Sequence, residues 1–382
     1  MDLASDRRVG TERVDLVDAF DRILAEDIVS DIDIPPFTQS TRDGFACRRV
    51  DLGNELKVVE TIAAGEVPQS ILGPNECARI MTGAAIPRRA DCVVMLEHAE
   101  ELGENGVRCT PRGLEDNICL QGANVTAGKT VLHAGERIKA QQVAVLATVG
   151  CSQPLVSRRP KVGVIATGGE LVAPDRKPEA CQIRNSNSFQ LSAMALGASA
   201  MPQNYGLVGD EKEAIQAVLT RAMAENDVVV LSGGIWKGDY DFVRDVLAET
   251  LVDLVFDRVR LNSGRLMVFG VSQSAFCFGL SGNPVSNFIM FELVVKPFLY
   301  GIAGHTFKAT VTHAQMAKTV VRDEGKKDLW LPVSLAEDGR AHPIECRGSM
   351  SIMSLCRADG LTHVPAGVTE VRQGTTVVVR QI

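Results

Sequence analysis

The chain repeats one local pattern three times: a short apolar run ends at glycine, and a helical pattern follows. The copies span residues 162–171, 227–241 and 276–288. Apolar runs of this kind are typical of parallel strands buried on both faces. Their loops are expected to meet at the carboxyl edge of one sheet, where open α/β sheets bind ligands. Because glycine lets backbone N–H groups approach an anion closely, the pattern predicts a phosphorylated ligand held by several loops.

The repeats lie within a longer alternation of strand and helix patterns. Strands are predicted at 162–166, 227–231, 255–259 and 275–280, and helices at 188–196, 211–224, 240–248 and 284–299. This order predicts a doubly wound α/β domain over residues 159–302.

The flanking segments predict three further units. Val14, Val17, Phe20 and Leu24 follow helical spacing behind Thr11, a candidate N-cap, so residues 11–24 are predicted to form an amphipathic helix. A second helix is predicted within 135–150. Segments 1–27 and 125–158 would therefore form a helical N-terminal domain that is interrupted by a β-rich insertion over 28–124. Short strand patterns at 308–312, 329–335 and 375–379 predict a barrel-like or sandwich-like β domain over 303–382.

Composition excludes several classes of function. A net charge of −7 argues against non-specific nucleic-acid binding. The ten cysteines form no Cys-x-x-Cys pair and the six histidines are isolated, which disfavours a disulfide framework and a zinc site and favours free thiols in a cytoplasmic protein. No apolar run approaches about 18 residues, so no membrane span is predicted, and the first residues do not resemble a signal peptide.

The glycine loops supply the candidate ligand contacts. Each has a structural alternative: a plain turn for 167–170, helix N-capping for Asp239 and Asp241, the end of a loop for Asp227, and a helix cap for 281–286. Three such loops in one domain favour the functional interpretation, with Glu170 as a metal ligand or base and the acidic second loop suited to Mg²⁺. The P-loop lysine is absent, which disfavours a Walker-type NTPase. Taken alone, the segments around Asp43 and Thr82 are interpreted as turns.

Nine motifs, in order, resemble the molybdopterin molybdenumtransferase family, the MoeA and gephyrin E-domain group. They are Leu24-Ala-Glu-Asp27, Pro36-Phe-x-x-Ser-x-x-Asp-Gly-Phe-Ala46, Met81-Thr-Gly-Ala84, Ala90-Asp-x-Val-Val-Met95 with Glu97, Thr167-Gly-Gly-Glu-Leu171, Asn185-Ser-Asn187, Ser232-Gly-Gly234, Gly238-Asp-Tyr-Asp-Phe242 and Gly282-Asn-Pro-Val-Ser286. The resemblance covers almost the whole length.

The resemblance implies a four-domain subunit with a MogA-like α/β domain, in an elongated homodimer whose active site lies between subunits. It implies transfer of molybdate to adenylylated molybdopterin, with Mg²⁺ and release of AMP, between an upstream adenylyltransferase and downstream apo-molybdoenzymes. Asp43, Thr82, Glu170 and Asp227 would be catalytic, with Glu170 and Asp227 binding Mg²⁺ and with Asp43 and Thr82 serving the partner's site. The substrate-binding candidates are Ser40, Thr167, Gly168, Gly169, Ser232, Gly233, Gly234, Lys237, Asp241, Arg265, Ser281, Gly282, Asn283, Pro284 and Ser286.

The chain departs from the family pattern where an oxyanion is expected to bind. Trp236 replaces a small Ser, Asn262 and Arg265 replace lysines, Cys119 replaces an Arg, Gly122-Ala-Asn124 replaces Gly-Glu-Asp, and Phe45 replaces a Tyr. Arg265 and Lys237 supply positive charge, although Arg and Lys are not equivalent donors. A second hypothesis is therefore a divergent paralogue that binds or carries molybdopterin without inserting molybdate. A third, from fold analogy alone, is a nucleotide pyrophosphatase.

Overall fold

The structure, a computed structural model, describes residues 2–110, 115–234, 243–250, 253–259, 261, 267–322, 325–344 and 352–382. The predicted site residues Lys237, Asp241 and Arg265 lie outside these ranges, as do Trp236, Asp239 and Asn262. The elements of the first 158 residues are α1 (Asp2–Asp6), β1 (Thr11–Arg13), β2 (Ile28–Val29), β3 (Gln39–Ser40), β4 (Gly44–Cys47), β5 (Glu55–Ile62), β6 (Glu76–Ile80), β7 (Cys92–Met95), β8 (Ala99–Leu102), β9 (Gly106–Cys109), β10 (Ile118–Cys119), β11 (Thr130–Leu132), α2 (Ala140–Thr148) and β12 (Leu155–Ser157), with 3₁₀ turns at Arg49–Asp51 and Leu96–His98.

The N-terminal unit is built from two distant segments. Strand β1 pairs antiparallel with β12, and β2 pairs with β11. An apolar cluster that includes Leu24, Leu146 and Val156 fills the space between them. Helix α2 confirms the helix predicted within 135–150.

The helix predicted over 11–24 is wrong. Residues 11–13 form a strand, and Asp21 has a φ of 65°, which a right-handed helix cannot accommodate. Val17 and Phe20 are 88% and 57% exposed, so the apolar spacing does not mark a buried face. Long-range pairing with the segment 155–157 overrides the local pattern.

A six-stranded sheet forms the insertion. Its strand order is β7-β4-β6-β5-β9-β8, with β5 and β6 parallel and the other neighbours antiparallel. The apolar core of one face contains four buried cysteines, Cys47, Cys77, Cys92 and Cys109, and no disulfide links them. The β-rich character predicted for residues 28–124 is therefore confirmed.

The second half of the chain begins with the α/β region. Its elements are β13 (Lys161–Thr167), β14 (Leu171–Val172), β15 (Ile183–Arg184), α3 (Asn187–Gly197), β16 (Met201–Val208), α4 (Lys212–Glu225), β17 (Val228–Ser232), α5 (Val243–Thr250), β18 (Asp253–Phe256), β19 (Met267–Val271), β20 (Phe276–Leu280), α6 (Pro284–Met290), a π-helical turn (Phe291–Val295) and α7 (Lys296–Ile302).

The central sheet has the order β16-β13-β17-β20-β19-β18. Strands β16, β13, β17 and β20 are mutually parallel, while β19 and β18 run antiparallel at one edge. From β13 the chain passes to β16 on one side and then returns to β17 on the other. The loops that leave β13 and β17 therefore diverge at a topological switch point, which is where such sheets open a crevice.

Helices cover both faces of this sheet. Leu191 of α3 and Met290 of α6 share one apolar cluster with Val162 and Val228, whereas Leu219 of α4 and Leu247 of α5 share the other. Successive residues of β13 and β17 alternate between the two clusters, as the pleat of a strand requires. The doubly wound architecture is confirmed. Strands β16 and β19 were not predicted from the sequence.

The segment Pro284–Ile302 is the one stretch of the described residues with the length and hydropathy of a membrane span, with 19 residues and a mean hydropathy of 1.4. Two-thirds of it, 67%, is buried inside the protein. Its two charged groups, Glu292 and Lys296, pair one turn apart. The segment is therefore part of the protein core.

The C-terminal region forms a closed barrel in the order β21-β24-β23-β25-β27, which confirms the predicted barrel-like domain. Its elements are β21 (Val311–Met316), β22 (Val320–Val321), β23 (Leu329–Leu335), β24 (Arg340–Pro343), α8 (Ile352–Leu355), β25 (Gly360–Val364), β26 (Glu370–Val371) and β27 (Thr376–Gln381). The domain boundaries predicted above stay a prediction.

Candidate active site at the switch point

Three loops meet where β13, β17 and β20 end. In the register of the parallel strands, Ser232 lies opposite Ala166 on one side and Leu280 on the other. Gly233 donates its N–H to the Leu280 carbonyl at 3.1 Å. Its φ is 99°, and a Cβ there would lie 2.3 Å from the Thr167 carbonyl oxygen. Only glycine fits here, because the first and second loops touch through their backbones.

Several of the loop amides predicted to hold a phosphate are already bonded within the protein. Gly168 N–H donates to the Val208 carbonyl at 3.3 Å, and Gly169 N–H donates to Asp210 Oδ2 at 2.8 Å. With Gly233 also engaged, the prediction of a cradle made by these amides is wrong. In the described ranges, the amides of Gly234 and Gly282 have no acceptor and remain candidate donors to a ligand.

The third loop is held by its own side chains. Asn283 Oδ1 accepts from the N–H groups of Val285 and Ser286 at 3.0 and 3.1 Å, and Asn283 N–H donates to Ser281 Oγ at 3.2 Å. Pro284 follows at the first helical position, where its missing N–H costs nothing. The structural alternative, a helix cap, therefore describes what Asn283 does, and the predicted ligand role of Asn283 and Ser286 stays a prediction.

Two carboxamides that were not singled out as candidates converge on Ser232. Asn187 Nδ2 and Asn287 Nδ2 each lie 2.8 Å from Ser232 Oγ, and Asn187 Nδ2 also lies 2.8 Å from the Gly282 carbonyl oxygen. Asn187 thus joins the second loop to the third from the first turn of α3. Asn187 belongs to a resemblance motif, whereas no local pattern marks Asn287.

Glu170 lies in the first loop with an exposed side chain. The pair β14–β15 follows it directly, and Ile183 N–H donates to the Glu170 carbonyl at 2.9 Å. Asp210, which accepts from Gly169, lies just beyond β16 at the same edge. The first of the three loops therefore carries an exposed carboxylate.

Asp227 does not join this site. It precedes β17, so it lies at the amino end of the strand that ends at Ser232, roughly 16 Å away at about 3.3 Å per residue. There it forms a bidentate ion pair with Arg158 at 2.5 and 2.7 Å and accepts the Lys161 N–H at 2.8 Å. The prediction that Asp227 shares a Mg²⁺ site with Glu170 is wrong, because the two carboxylates lie at opposite ends of the sheet.

Asp43 and Thr82 meet in the inserted domain although 39 positions separate them. Thr82 donates its N–H and its hydroxyl to Asp43 Oδ1 at 2.6 and 2.7 Å, and these two bonds lower the pKa of the Asp43 carboxyl. Ser40 supports the same loop, since its carbonyl accepts from Gly83 N–H at 2.8 Å. An exposed carboxylate kept ionised in this way suits contact with a cation.

The departures that the structure describes lie near this second cluster. Cys119 pairs with Gln39 across β10 and β3, one residue from Ser40, and Asn124 N–H donates to the Ile34 carbonyl. Phe45 is buried in β4. Unlike the tyrosine that it replaces, it has no hydroxyl that would need a hydrogen-bond partner there. The replaced arginine position therefore belongs to the strand that supports the Asp43 loop.

Models of three protein families match the chain in order. The MoeA N-terminal region (domain I and II) matches residues 2–150, a probable molybdopterin binding domain matches 163–301, and the MoeA C-terminal region (domain IV) matches 314–382. The molybdopterin molybdenumtransferase of Bacillus subtilis (strain 168) is 34% identical over 381 residues, covering 96% of this chain and 89% of that protein. The chain belongs to the MoeA family.

Solved structures agree with that assignment. The molybdopterin biosynthesis MoeA protein of Pyrococcus horikoshii OT3 superposes with a TM-score of 0.85 at 29% identity, covering 100% of this chain and 98% of that one. A second relative, the molybdopterin molybdenumtransferase of Staphylococcus epidermidis (strain ATCC 12228 / FDA PCI 1200), is 34% identical over 95% of this chain and 89% of its own length. This MoeA-family chain is accordingly a transferase of molybdenum cofactor biosynthesis.

Proposed function

We propose that the chain inserts molybdate into adenylylated molybdopterin and releases AMP, in a Mg²⁺-dependent reaction of the cytoplasm. The observation that carries this proposal is the meeting of three loops at the switch point, beside the exposed Glu170 carboxylate. Fixed donors beside a carboxylate suit a substrate with phosphate groups, because they act where charge develops on the leaving phosphate. Molybdate is a second substrate in this scheme.

Within the three loops, Glu170 is the described residue that fits a Mg²⁺ ion. Across the described ranges, no group of three His, Cys, Asp or Glu side chains has the spacing of a complete metal site. A Mg²⁺ ion does not need such a group, because it keeps several waters and binds one or two carboxylates together with substrate phosphates. When bound, the ion would neutralise charge on the phosphoanhydride. Glu170 would orient it, and the Ser232 hydroxyl and the Gly234 and Gly282 amides would bind phosphate oxygens.

The activity assay tests the proposal directly. Protein is mixed with adenylylated molybdopterin, Mg²⁺ and molybdate, and both AMP release and activation of an apo-molybdoenzyme are measured against heat-treated protein. We expect both signals from the unmodified chain and the loss of both in Glu170→Gln. Glu337→Gln, an exposed glutamate in a barrel turn, is the matched control and should keep them. Absence of AMP release from the unmodified chain would overturn the proposal.

Two further measurements, molybdopterin binding by calorimetry and hydrolysis of simple dinucleotides, separate the alternatives. Tight molybdopterin binding without AMP release supports the paralogue that carries the cofactor, and hydrolysis of simple dinucleotides supports a pyrophosphatase. The change at position 119 bears on the Asp43 loop and not on the three glycine loops, because Cys119 pairs with Gln39.

We further propose a homodimer in which Asp43 and Thr82 complete the partner's site. Asp43 is exposed, and its carboxylate bonds only to Thr82 among the described residues, so it is available to a second chain. Subunit mixing tests this. Glu170→Gln and Asp43→Asn proteins should each be inactive, and a mixture should regain activity because mixed dimers contain one intact site. A mixture that exchanges subunits without regaining activity would place both residues in a site within one chain.

A further inference from the structure

The hydrogen bonds of Asn187 have a fixed direction. The Gly282 carbonyl oxygen can only accept, so the atom facing it at 2.8 Å is the amide nitrogen. The second hydrogen of that nitrogen is directed to Ser232 Oγ, also at 2.8 Å. Asn187 therefore uses both donors, one on each of two loops.

Asn287 donates to the same hydroxyl oxygen from the first turn of α6. Its Nδ2 lies 2.8 Å from Ser232 Oγ, and its side chain is fully buried. A hydroxyl oxygen accepts two hydrogen bonds and donates one. Asn187 and Asn287 thus hold the Ser232 hydroxyl from two sides, and no other group in the described ranges bonds to Ser232 Oγ.

The Oδ1 atoms of Asn187 and Asn287 are both buried without a donor in the part of the chain that the structure describes. The same is true of Asn226 Oδ1 at the opposite end of β17, so unpaired carboxamide oxygens do not by themselves mark a functional site.

We propose that Asn187 and Asn287 are positioning residues that hold the Ser232 hydroxyl where it meets an anionic oxygen of the ligand, a phosphate oxygen under the proposed function. The inference rests on that function, because it assigns the phosphate to this edge of the sheet. Asn187 has the additional role of holding the second and third loops at one spacing.

Asn226, which lies between α4 and β17, offers a matched control at the other end of the same strand. Its Nδ2 lies 2.7 Å from the Tyr205 hydroxyl oxygen and 2.9 Å from the Ala222 carbonyl oxygen, and its Oδ1 is likewise buried and without a partner in the described ranges. The same side chain thus makes the same two kinds of bond, at the opposite end of β17. Asn187→Ala and Asn226→Ala remove equivalent interactions from the site edge and from the other edge.

The experiment is AMP binding measured by titration calorimetry, with melting temperature recorded for each variant. We expect Asn187→Ala and Ser232→Ala each to weaken AMP binding about tenfold, the usual effect of losing a hydrogen bond to a charged group. The double variant should bind no more weakly than either single variant, because both changes remove one donor. Asn226→Ala should bind AMP within twofold of the unmodified chain while melting at a similarly reduced temperature.

Equal AMP affinity in Asn187→Ala and the unmodified chain, additive effects in the double variant, or an equal loss in Asn226→Ala would each overturn the inference. If Asn187→Ala does not fold, Asn187→Asp replaces it, since a carboxylate keeps the shape but donates to neither partner; its binding should weaken at least as much, and unchanged binding overturns the inference. Absence of AMP binding by the unmodified chain would overturn the proposed function. The inference, which rests on that function, would then be overturned as well.

Discussion

The two ends of strand β17 differ in what their polar groups do. At the amino end, Asp227 and Asn226 find partners in Arg158, Tyr205 and the backbone. At the carboxyl end, the amides of Gly234 and Gly282 face no acceptor in the described ranges, and the Glu170 side chain is exposed. One strand therefore joins an edge that serves stability to the edge where we propose that the ligand binds. A carboxylate beside such a strand can belong to the site only if it lies at the carboxyl end of the strand, which the sequence pattern alone does not decide.

The strongest test of the comparison is Gly233→Ala. A Cβ would meet the Thr167 carbonyl oxygen at 2.3 Å in a backbone with a φ of 99°. Left-handed strain and overpacking together should lower the free energy of unfolding by about 3 kcal/mol and abolish AMP binding. Gly53→Ala, with a φ of 86° and open space around the new Cβ, is the control for strain alone. Equal losses in chemical denaturation of the two variants would contradict the tight contact between loops.

Glu170→Gln addresses the carboxyl end without disturbing the fold. The side chain is exposed, so the melting temperature should stay within about 1 °C while kcat/KM for AMP release falls about 100-fold, as after removal of one electrostatic group from an active site. The reduction in kcat/KM should be larger at a low Mg²⁺ concentration than at a high one. A variant with unchanged Mg²⁺ dependence would remove Glu170 from the metal contact.

Asp227→Ala addresses the amino end. It leaves Arg158 without its bidentate partner, and both side chains are about one-third to one-quarter exposed. The loss of unfolding free energy should be about 1–2 kcal/mol, between the values for surface and buried pairs. AMP affinity should not change. A large loss of activity at unchanged stability would return Asp227 to the active site and break the comparison.

The smallest expected effect is a pH dependence at the amino end. Burial, and then the hydrogen bond to Glu225, raise the pKa of Tyr205 to about 12. The ordinary value is 10.0, so the folded state keeps this proton between about pH 10 and 12 while the unfolded chain loses it. Stability from this group is therefore complete below pH 10 and is lost as the pH rises toward 12. Urea denaturation of the unmodified chain should show the loss, and Tyr205→Phe should show less of it.

Much of the α/β region was predictable because its strands are apolar runs with glycine at their ends. The predictions failed where distant contacts decide. Residues 11–24 have helical spacing, but β1 pairs with a strand more than 140 positions away, and Asp21 adopts a positive φ. Strand β16 was missed because most of its side chains are polar or exposed at the edge of the sheet.

The candidate site, too, could be predicted from the sequence only where no distant contact was needed. Sequence order places Asp227 beside an apolar strand but does not indicate the partner at its end, and the Arg158 pair is visible only in three dimensions. The loop amides were predicted to be free to bind a ligand, because the sequence does not show which protein groups accept their hydrogen bonds. Asn287 has no local pattern at all, since its role follows from where α6 meets β17. In contrast, Asp43 and Thr82 were placed by motif resemblance, and their contact then emerged from the fold of the insertion.

The pairing of β1 with β12 orders events during synthesis. Thr11 can pair with Ser157 only after both residues have been synthesised. The N-terminal unit therefore cannot fold until the whole six-stranded insertion has left the ribosome. The insertion has its own apolar clusters and can collapse first, which turns a long flexible loop into a short rigid one. Newly made chains stopped before residue 155 should thus contain a folded insertion between two unfolded ends.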